Sequence, residues 1–119
     1  MDLQNVIGTL SALAQETRLL IFRELVKNHS PDADSGGLAA GAIANVLGIS
    51  ASSLSFHLKE MSWNGLVTSR KEGRSVIYKA NLDCMQNLVH YLLEDCCGGA
   101  CSVEPLSTIS GDSHEKITR

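Results

Sequence analysis

The stretch Ser50-Ala51-Ser52-Ser53-Leu54-Ser55-Phe56-His57-Leu58-Lys59-Glu60-Met61-Ser62-Trp63-Asn64-Gly65-Leu66 decides the fold of this chain. The Ser50 hydroxyl can accept from the open backbone N–H groups of a first helical turn, and Gly65 can adopt the left-handed conformation that closes a last one. Between those bounds Leu54, Leu58 and Met61 share one helical face, with Ser52, Phe56, Lys59 and Trp63 roughly opposite. One face suits a core and the other a partner.

Upstream, Leu38 to Leu47 reads as a short Ala-rich helix with Leu38, Ile43 and Leu47 apolar, and Gly48-Ile49 joins it tightly to Ser50. Two helices so joined fit a helix-turn-helix, whose second member lies in the major groove of DNA. Downstream, Leu66 to Ala80 holds two β-prone runs about a charged turn containing Gly73, the pattern of a hairpin or wing. Amphipathic helix pairs occur in many all-α proteins, and a hairpin alone proves nothing. The pair followed by a basic-tipped hairpin is what points to nucleic acid. The fold class expected is mainly α with a β-hairpin wing, a winged helix-turn-helix.

The chain of 119 residues is one domain, near the size at which dimerisation often adds burial. Its formal charge of −3 excludes any argument from overall basicity. From Gly48 to Ala80, however, Lys59, Arg70, Lys71, Arg74 and Lys79 stand against Glu60 and Glu72, a local net of +3 that leaves −6 elsewhere. Positive charge is thus concentrated where the fold reading puts DNA, although a solvated charged hairpin would look the same by charge alone.

No apolar run approaches the length of a membrane span, and the N-terminus lacks a basic segment followed by an apolar core. The chain is therefore expected in the cytoplasm, with Cys84, Cys96, Cys97 and Cys101 as reduced thiols rather than a disulfide framework. In order along the chain, Leu3, Val6, Ile7, Leu10 and Leu13 mark a first amphipathic helix. Gln15 to Lys27, with Leu19, Leu20, Ile21, Phe22, Leu25 and Val26, mark a second and denser one at the centre of the core. Asn28 to Gly37 is a loop by composition. Asn81 to Asp95 reads as a last helix with a stripe of Met85, Leu88, Val89, Leu92 and Leu93. First and last helices either pack on their own core or form a dimer interface; we expect the interface. Residues 1–101 are then a DNA-binding and dimerisation domain ending in a thiol site, and 102–119 a polar tail expected to be disordered.

Ala12-Leu13-Ala14-Gln15-Glu16-Thr17-Arg18-Leu19-Leu20-Ile21, Ser55-Phe56-His57-Leu58-Lys59, Gly65-Leu66-Val67, and Glu72-Gly73-Arg74 followed by Tyr78 together resemble the ArsR (ArsR/SmtB) family of metalloregulatory repressors. The resemblance covers roughly Leu10 to Leu93. It implies a homodimer of winged helices, bound to double-stranded operator DNA and released by an inducer. It also implies that Ser53, Ser55, His57 and Lys59 lie at or near DNA, with Arg70, Lys71 and Arg74 on the wing; Ser52 joins them from the exposed face of the same helix. His57 lies beside Leu54 and Met61 by helical position, so it either contacts DNA or simply packs. Ser55 carries the same ambiguity.

The sensing residues depart from the family's best-known patterns. Gly41 to Leu47 contains no Cys-x-Cys site, and His90 and Glu94 lack partners at the spacing of the family's last-helix zinc site. The run Cys96-Cys97-Gly98-Gly99-Ala100-Cys101 instead resembles the C-terminal cysteine cluster of an arsenic-responsive branch. Trivalent arsenic and antimony are thiophilic and take three thiolates on one side of a lone pair, whereas zinc more usually takes four ligands. Adjacent side chains on a helix diverge by about 100°, so Cys96 and Cys97 converge only where the helix ends, an end that Gly98-Gly99 would supply. Cys96, Cys97 and Cys101 are therefore the expected ligands of arsenic(III), antimony(III) or a methylated trivalent arsenical, which needs only two thiolates. Cys84 lies about three turns away and reads as a buried apolar residue. No resident cofactor is required. Two alternatives remain: a redox switch in which Cys96 or Cys97 pairs with Cys101, and a thiol-dependent arsenate reductase. The reductase is disfavoured because its nucleophile belongs at an anion-binding helix N-terminus, whereas these thiols follow a C-terminus, whose dipole repels oxyanions.

Overall fold

The computed structural model describes residues 1–99, so the tail from 102 onward and Cys101 lie outside the described residues. Side-chain caps fix where most of the helices begin. Asp2 accepts from the Asn5 amide at the start of α1 (Leu3–Leu13), and Gln15 accepts from the Arg18 amide at the start of α2 (Glu16–Lys27). Ser50 opens α4 (Ala51–Trp63) by accepting from the Ser53 amide at 3.1 Å, as its place before the apolar run led us to expect. Asn81 does the same for Cys84 at the start of α5 (Leu82–Leu93).

The short helix α3 (Ala40–Leu47) has no side-chain cap and begins two residues later than the sequence suggests. Leu38 and Ala39 are not helical. They form a two-residue strand, β1, paired antiparallel with Tyr78 and Ile77. The wing is thus a three-stranded sheet in the order β1-β3-β2, with β2 at Val67–Glu72 and β3 at Ser75–Ala80. Gly37 explains the departure: its φ is +90°, and a Cβ there would sit 2.5 Å from the Tyr78 carbonyl oxygen. Only glycine lets the loop end approach β3 closely enough to add a strand.

Ile21 and Leu25 of α2, Ile43 of α3, Leu54, Leu58 and Met61 of α4, and Leu66 after it are buried together, which puts α2 at the centre of the core. Burial of each such side chain contributes about 1.5–3 kcal/mol. The helix-turn-helix is thereby locked from behind. Its turn is set by Gly48, at φ +67°, and the axes of α3 and α4 bend through 114°, inside the usual range for the motif. The first and last helices lie against one another and leave Leu3, Ile7 and Leu10 of α1 and Leu92 and Leu93 of α5 exposed, while Val6, Thr9 and Ala12 form the inward face of α1. Among the described residues no single helix is long and apolar enough to cross a membrane.

Candidate DNA-reading face and thiol site

Helix α4 presents Ser52, Ser53, Ser55, Phe56, Lys59 and Trp63 to solvent on the side away from Leu54, Leu58 and Met61. The sequence-derived contacts Ser52, Ser53, Ser55 and Lys59 are therefore gathered on one accessible surface. Ser52 Oγ lies 3.4 Å from Ser50 Oγ, a weak contact that an acceptor on DNA can displace. His57 is half-buried at the flank of this face. Its Nδ1 accepts from Arg18 Nε at 3.1 Å, and the Arg18 guanidinium lies 5.7 Å from the Phe56 ring centroid. Phe56 and His57 in turn meet edge to face, with centroids 5.7 Å apart. Burial first, and the Arg18 charge second, hold the His57 imidazole below its ordinary pKa, so the ring is neutral at physiological pH. Packing is thus one of its roles.

The wing pairs Glu72 with Ser75, leaving Gly73 and Arg74 as a two-residue loop. Gly73 has φ +61°, and glycine at the first central position of a two-residue hairpin loop is the type II′ pattern. Lys71 and Arg74 are exposed near this tip. Arg70 is not displayed in the same way. Its Nε donates to Glu72 Oε2 at 2.9 Å, and its Nη1 is buried without a partner. Residues two apart on a strand share a face, which is how Glu72 reaches it. Lys79, counted above with the basic residues of the segment, is held elsewhere: its Nζ donates to the carbonyls of Ser30 and Asp32 at 2.9 and 2.8 Å. The loop from Asn28 to Gly37 takes up that charge, and the accessible positive charge shrinks to Lys59, Lys71 and Arg74, with Arg70 in reserve.

The thiols also depart from expectation in one respect. Helix α5 stops at Leu93, two residues short of the expected Asp95, and its end is not supplied by Gly98-Gly99. Glu94 takes an extended ψ of 138°, Asp95 is left-handed at φ 65°, and Cys96–Gly99 form a short 3₁₀ turn of their own. Cys97 is left-handed as well, at φ 55°. The break removes the divergence a regular helix would impose, and Cys96 Sγ lies 3.6 Å from Cys97 Sγ. Among the described residues no three His, Cys, Asp or Glu side chains converge as a metal site; Cys101 falls outside them. Cys84 is buried, with its Sγ 3.9 Å from Thr9 Oγ1 of α1, in keeping with a packing role.

A helix-turn-helix whose second helix is exposed, followed by a basic-tipped hairpin, defines a winged-helix DNA-binding regulator. The family model for the helix-turn-helix domain matches residues 13–70. Nodulation protein NolR of Rhizobium meliloti is 33% identical over 88 residues, 74% of this chain and 66% of NolR, so the chain spans about two thirds of that relative's length. Transcriptional activator HlyU of Vibrio cholerae is 35% identical over 86 residues, 70% of this chain and 72% of HlyU. The structure of reduced HlyU superposes with a TM-score of 0.58 at 33% identity, covering 75% of this chain and 88% of that one. The solution structure of the homodimeric winged helix-turn-helix DNA-binding domain of Mb0332 from Mycobacterium bovis, a possible ArsR-family transcriptional regulator, gives a TM-score of 0.61 at 27% identity, covering 78% and 82%. The chain belongs to the ArsR (ArsR/SmtB) family of winged helix-turn-helix transcriptional regulators and binds DNA.

Proposed function

We propose that this chain is a homodimeric repressor released from its operator when trivalent arsenic or antimony binds Cys96, Cys97 and Cys101. Ser52, Ser53, Ser55, His57 and Lys59 of α4 face the major groove, and Lys71 and Arg74 of the wing face phosphates, with Arg70 joining them only when it leaves Glu72. The observation that carries the inducer is the convergence of Cys96 and Cys97 at 3.6 Å immediately after the end of α5. Two thiolates on one ion with bonds of about 2.3 Å, as for a zinc thiolate, at angles between about 90° and 110° lie about 3.3–3.8 Å apart. Both sulfurs thus stand at ligand spacing in the protein. A third thiolate from Cys101 completes the set that a pyramidal metalloid takes, and a methylated trivalent arsenical needs only the first two.

Dimerisation is supported by the exposed Leu3, Ile7, Leu10, Leu92 and Leu93 on helices that pack together, and by the homodimeric Mb0332 domain. Leu93 is three residues from Cys96, so coordination that reshapes the turn acts directly on the end of this apolar face. Two subunits whose recognition helices shift relative to one another no longer fit successive grooves.

A redox switch is the second reading, favoured by the close pairing of the half-buried Cys96 with the exposed Cys97 and by the relative solved in a reduced form. Cys96 or Cys97 would pair with Cys101, giving two protons and two electrons to an oxidant. One experiment separates the readings: release of the reduced protein from its own promoter DNA by arsenite, antimonite, methylarsenite, zinc or peroxide. Release by metalloids in the presence of a phosphine reductant supports the proposal; release by peroxide alone, with no response to metalloids, overturns it. Because HlyU is named an activator, the same promoter is assayed by in vitro transcription, where a repressor lowers transcript and arsenite restores it.

A further inference from the structure

Arg18 stands apart from the features assigned above. It is the third residue of α2, with its backbone amide fixed by the Gln15 cap, and its side chain crosses to α4 to touch both Phe56 and His57. A guanidinium has donors only and stays charged throughout the physiological range. The imidazole nitrogen it meets must therefore be the acceptor. A neutral histidine has one acceptor and one donor, so accepting at Nδ1 places the ring proton on Nε2. Among the described residues the buried side-chain nitrogens and oxygens without a partner are His29 Nδ1 and Arg70 Nη1, so His57 Nε2 meets solvent. The contacts among Arg18, Phe56 and His57, with the two rings edge to face, then fix the ring plane as well as the tautomer.

We propose that Arg18 is a positioning residue for DNA recognition: it acts through His57, holding the imidazole so that Nε2–H is donated to an acceptor on the operator. Without the guanidinium, the Nδ1–H tautomer would turn an acceptor toward the same place. The acceptor is a base edge, such as guanine O6 or N7, or a phosphate oxygen. Arg18 is linked to DNA through its partner, and Phe56 serves as the ledge on which the guanidinium rests. This inference rests on α4 being the DNA-reading helix, and its first test is independent of that.

The first measurement is nitrogen-15 NMR of the histidine rings of the full chain without DNA. His57 should be the Nε2–H tautomer at neutral pH in the unmodified protein and lose that preference in Arg18→Met. An Nδ1–H tautomer in the unmodified protein overturns the proposal without any variant having to fold. The second is a double-mutant cycle on the protein's own promoter fragment with Arg18→Met, His57→Gln and both. In glutamine the amide N–H stands where Nε2–H stood and needs no partner to fix a tautomer. Arg18→Met should weaken binding roughly three- to tenfold alone, and hardly at all in the His57→Gln background, with the salt slope unchanged. Equal losses in both backgrounds, with a salt slope about 0.9 shallower per subunit, would mean that Arg18 itself holds a phosphate and would overturn the proposal. A penalty confined to one base pair of the operator assigns the acceptor to a base edge, and a uniform one assigns it to the backbone; either supports the donor role.

Discussion

Replacing Glu72 by Gln should strengthen DNA binding, because the carboxylate currently occupies the wing arginine. Arg70 Nε donates to Glu72 Oε2 at 2.9 Å, with side-chain exposures of 22% and 52%, and Arg70 Nη1 is buried without an acceptor. An ion pair this accessible is worth about 0.2–1 kcal/mol after solvent screening, so releasing Arg70 recovers at most about a fivefold gain per subunit. Removing a negative charge about 8 Å from a phosphate adds about 0.5 kcal/mol at the dielectric of water, reduced by screening at about 0.1 M salt. Together these give roughly a three- to tenfold gain per subunit. The salt dependence carries a sharper signature. Each phosphate newly neutralised steepens the slope of log K against log salt by about 0.9, so a dimer with two released arginines should gain up to about 2 in slope. Anisotropy of a labelled promoter fragment between about 50 and 200 mM salt reads both quantities. Unchanged or weaker binding, with the thermal midpoint of the variant preserved, would refute the placement of this strand against DNA.

Other expectations follow from particular contacts. Cys96→Ser, Cys97→Ser or Cys101→Ser should leave promoter binding within about twofold and remove or weaken arsenite release, while Cys84→Ser keeps both; loss of DNA binding by all three site variants would make the cluster structural. Gly37→Ala should destabilise the fold by about 2–3 kcal/mol in chemical denaturation, since it combines φ +90° with a Cβ 2.5 Å from the Tyr78 oxygen. His57, held below the ordinary histidine value, binds fewer protons folded than unfolded at mildly acid pH. Stability it contributes is present above about pH 6.5 and lost as pH falls from there through the folded pKa, so the thermal midpoint should drop in that window and drop less in His57→Gln.

Much of this was legible in the sequence. The recognition helix was bounded by Ser50 and Gly65, both of which act locally, and its buried triad of Leu54, Leu58 and Met61 followed from helical periodicity. The hairpin turn at Gly73 was legible for the same reason. What escaped depended on long reach. Arg18 meets His57 across 39 residues, and no pattern in either segment announces it. Lys79 is tied to carbonyls of the Asn28 to Gly37 loop, a pairing set by how closely Gly37 approaches β3. Leu38 looked helical because it precedes an Ala-rich run, yet pairing with Tyr78 outweighed propensity. The Arg70–Glu72 pair had a signal in the sequence, opposite charges two apart on a strand. The end of α5 was read to within two residues, but the separate turn over Cys96–Gly99 had no signal, since nothing in the sequence announces that Asp95 and Cys97 turn left-handed.

In the proposed mechanism the thiol turn acts on DNA binding through the end of α5, and linkage makes that coupling directly measurable. If arsenite weakens operator binding by a given factor, operator DNA must weaken arsenite binding by the same factor, and coupling of about 1–3 kcal/mol corresponds to about 5- to 150-fold. The decisive measurement is arsenite titration of the reduced dimer with and without saturating promoter DNA, beside promoter titration with and without arsenite. The two factors should be large and equal, with the protein dimeric throughout. Equal arsenite affinities in the presence and absence of DNA would contradict the mechanism.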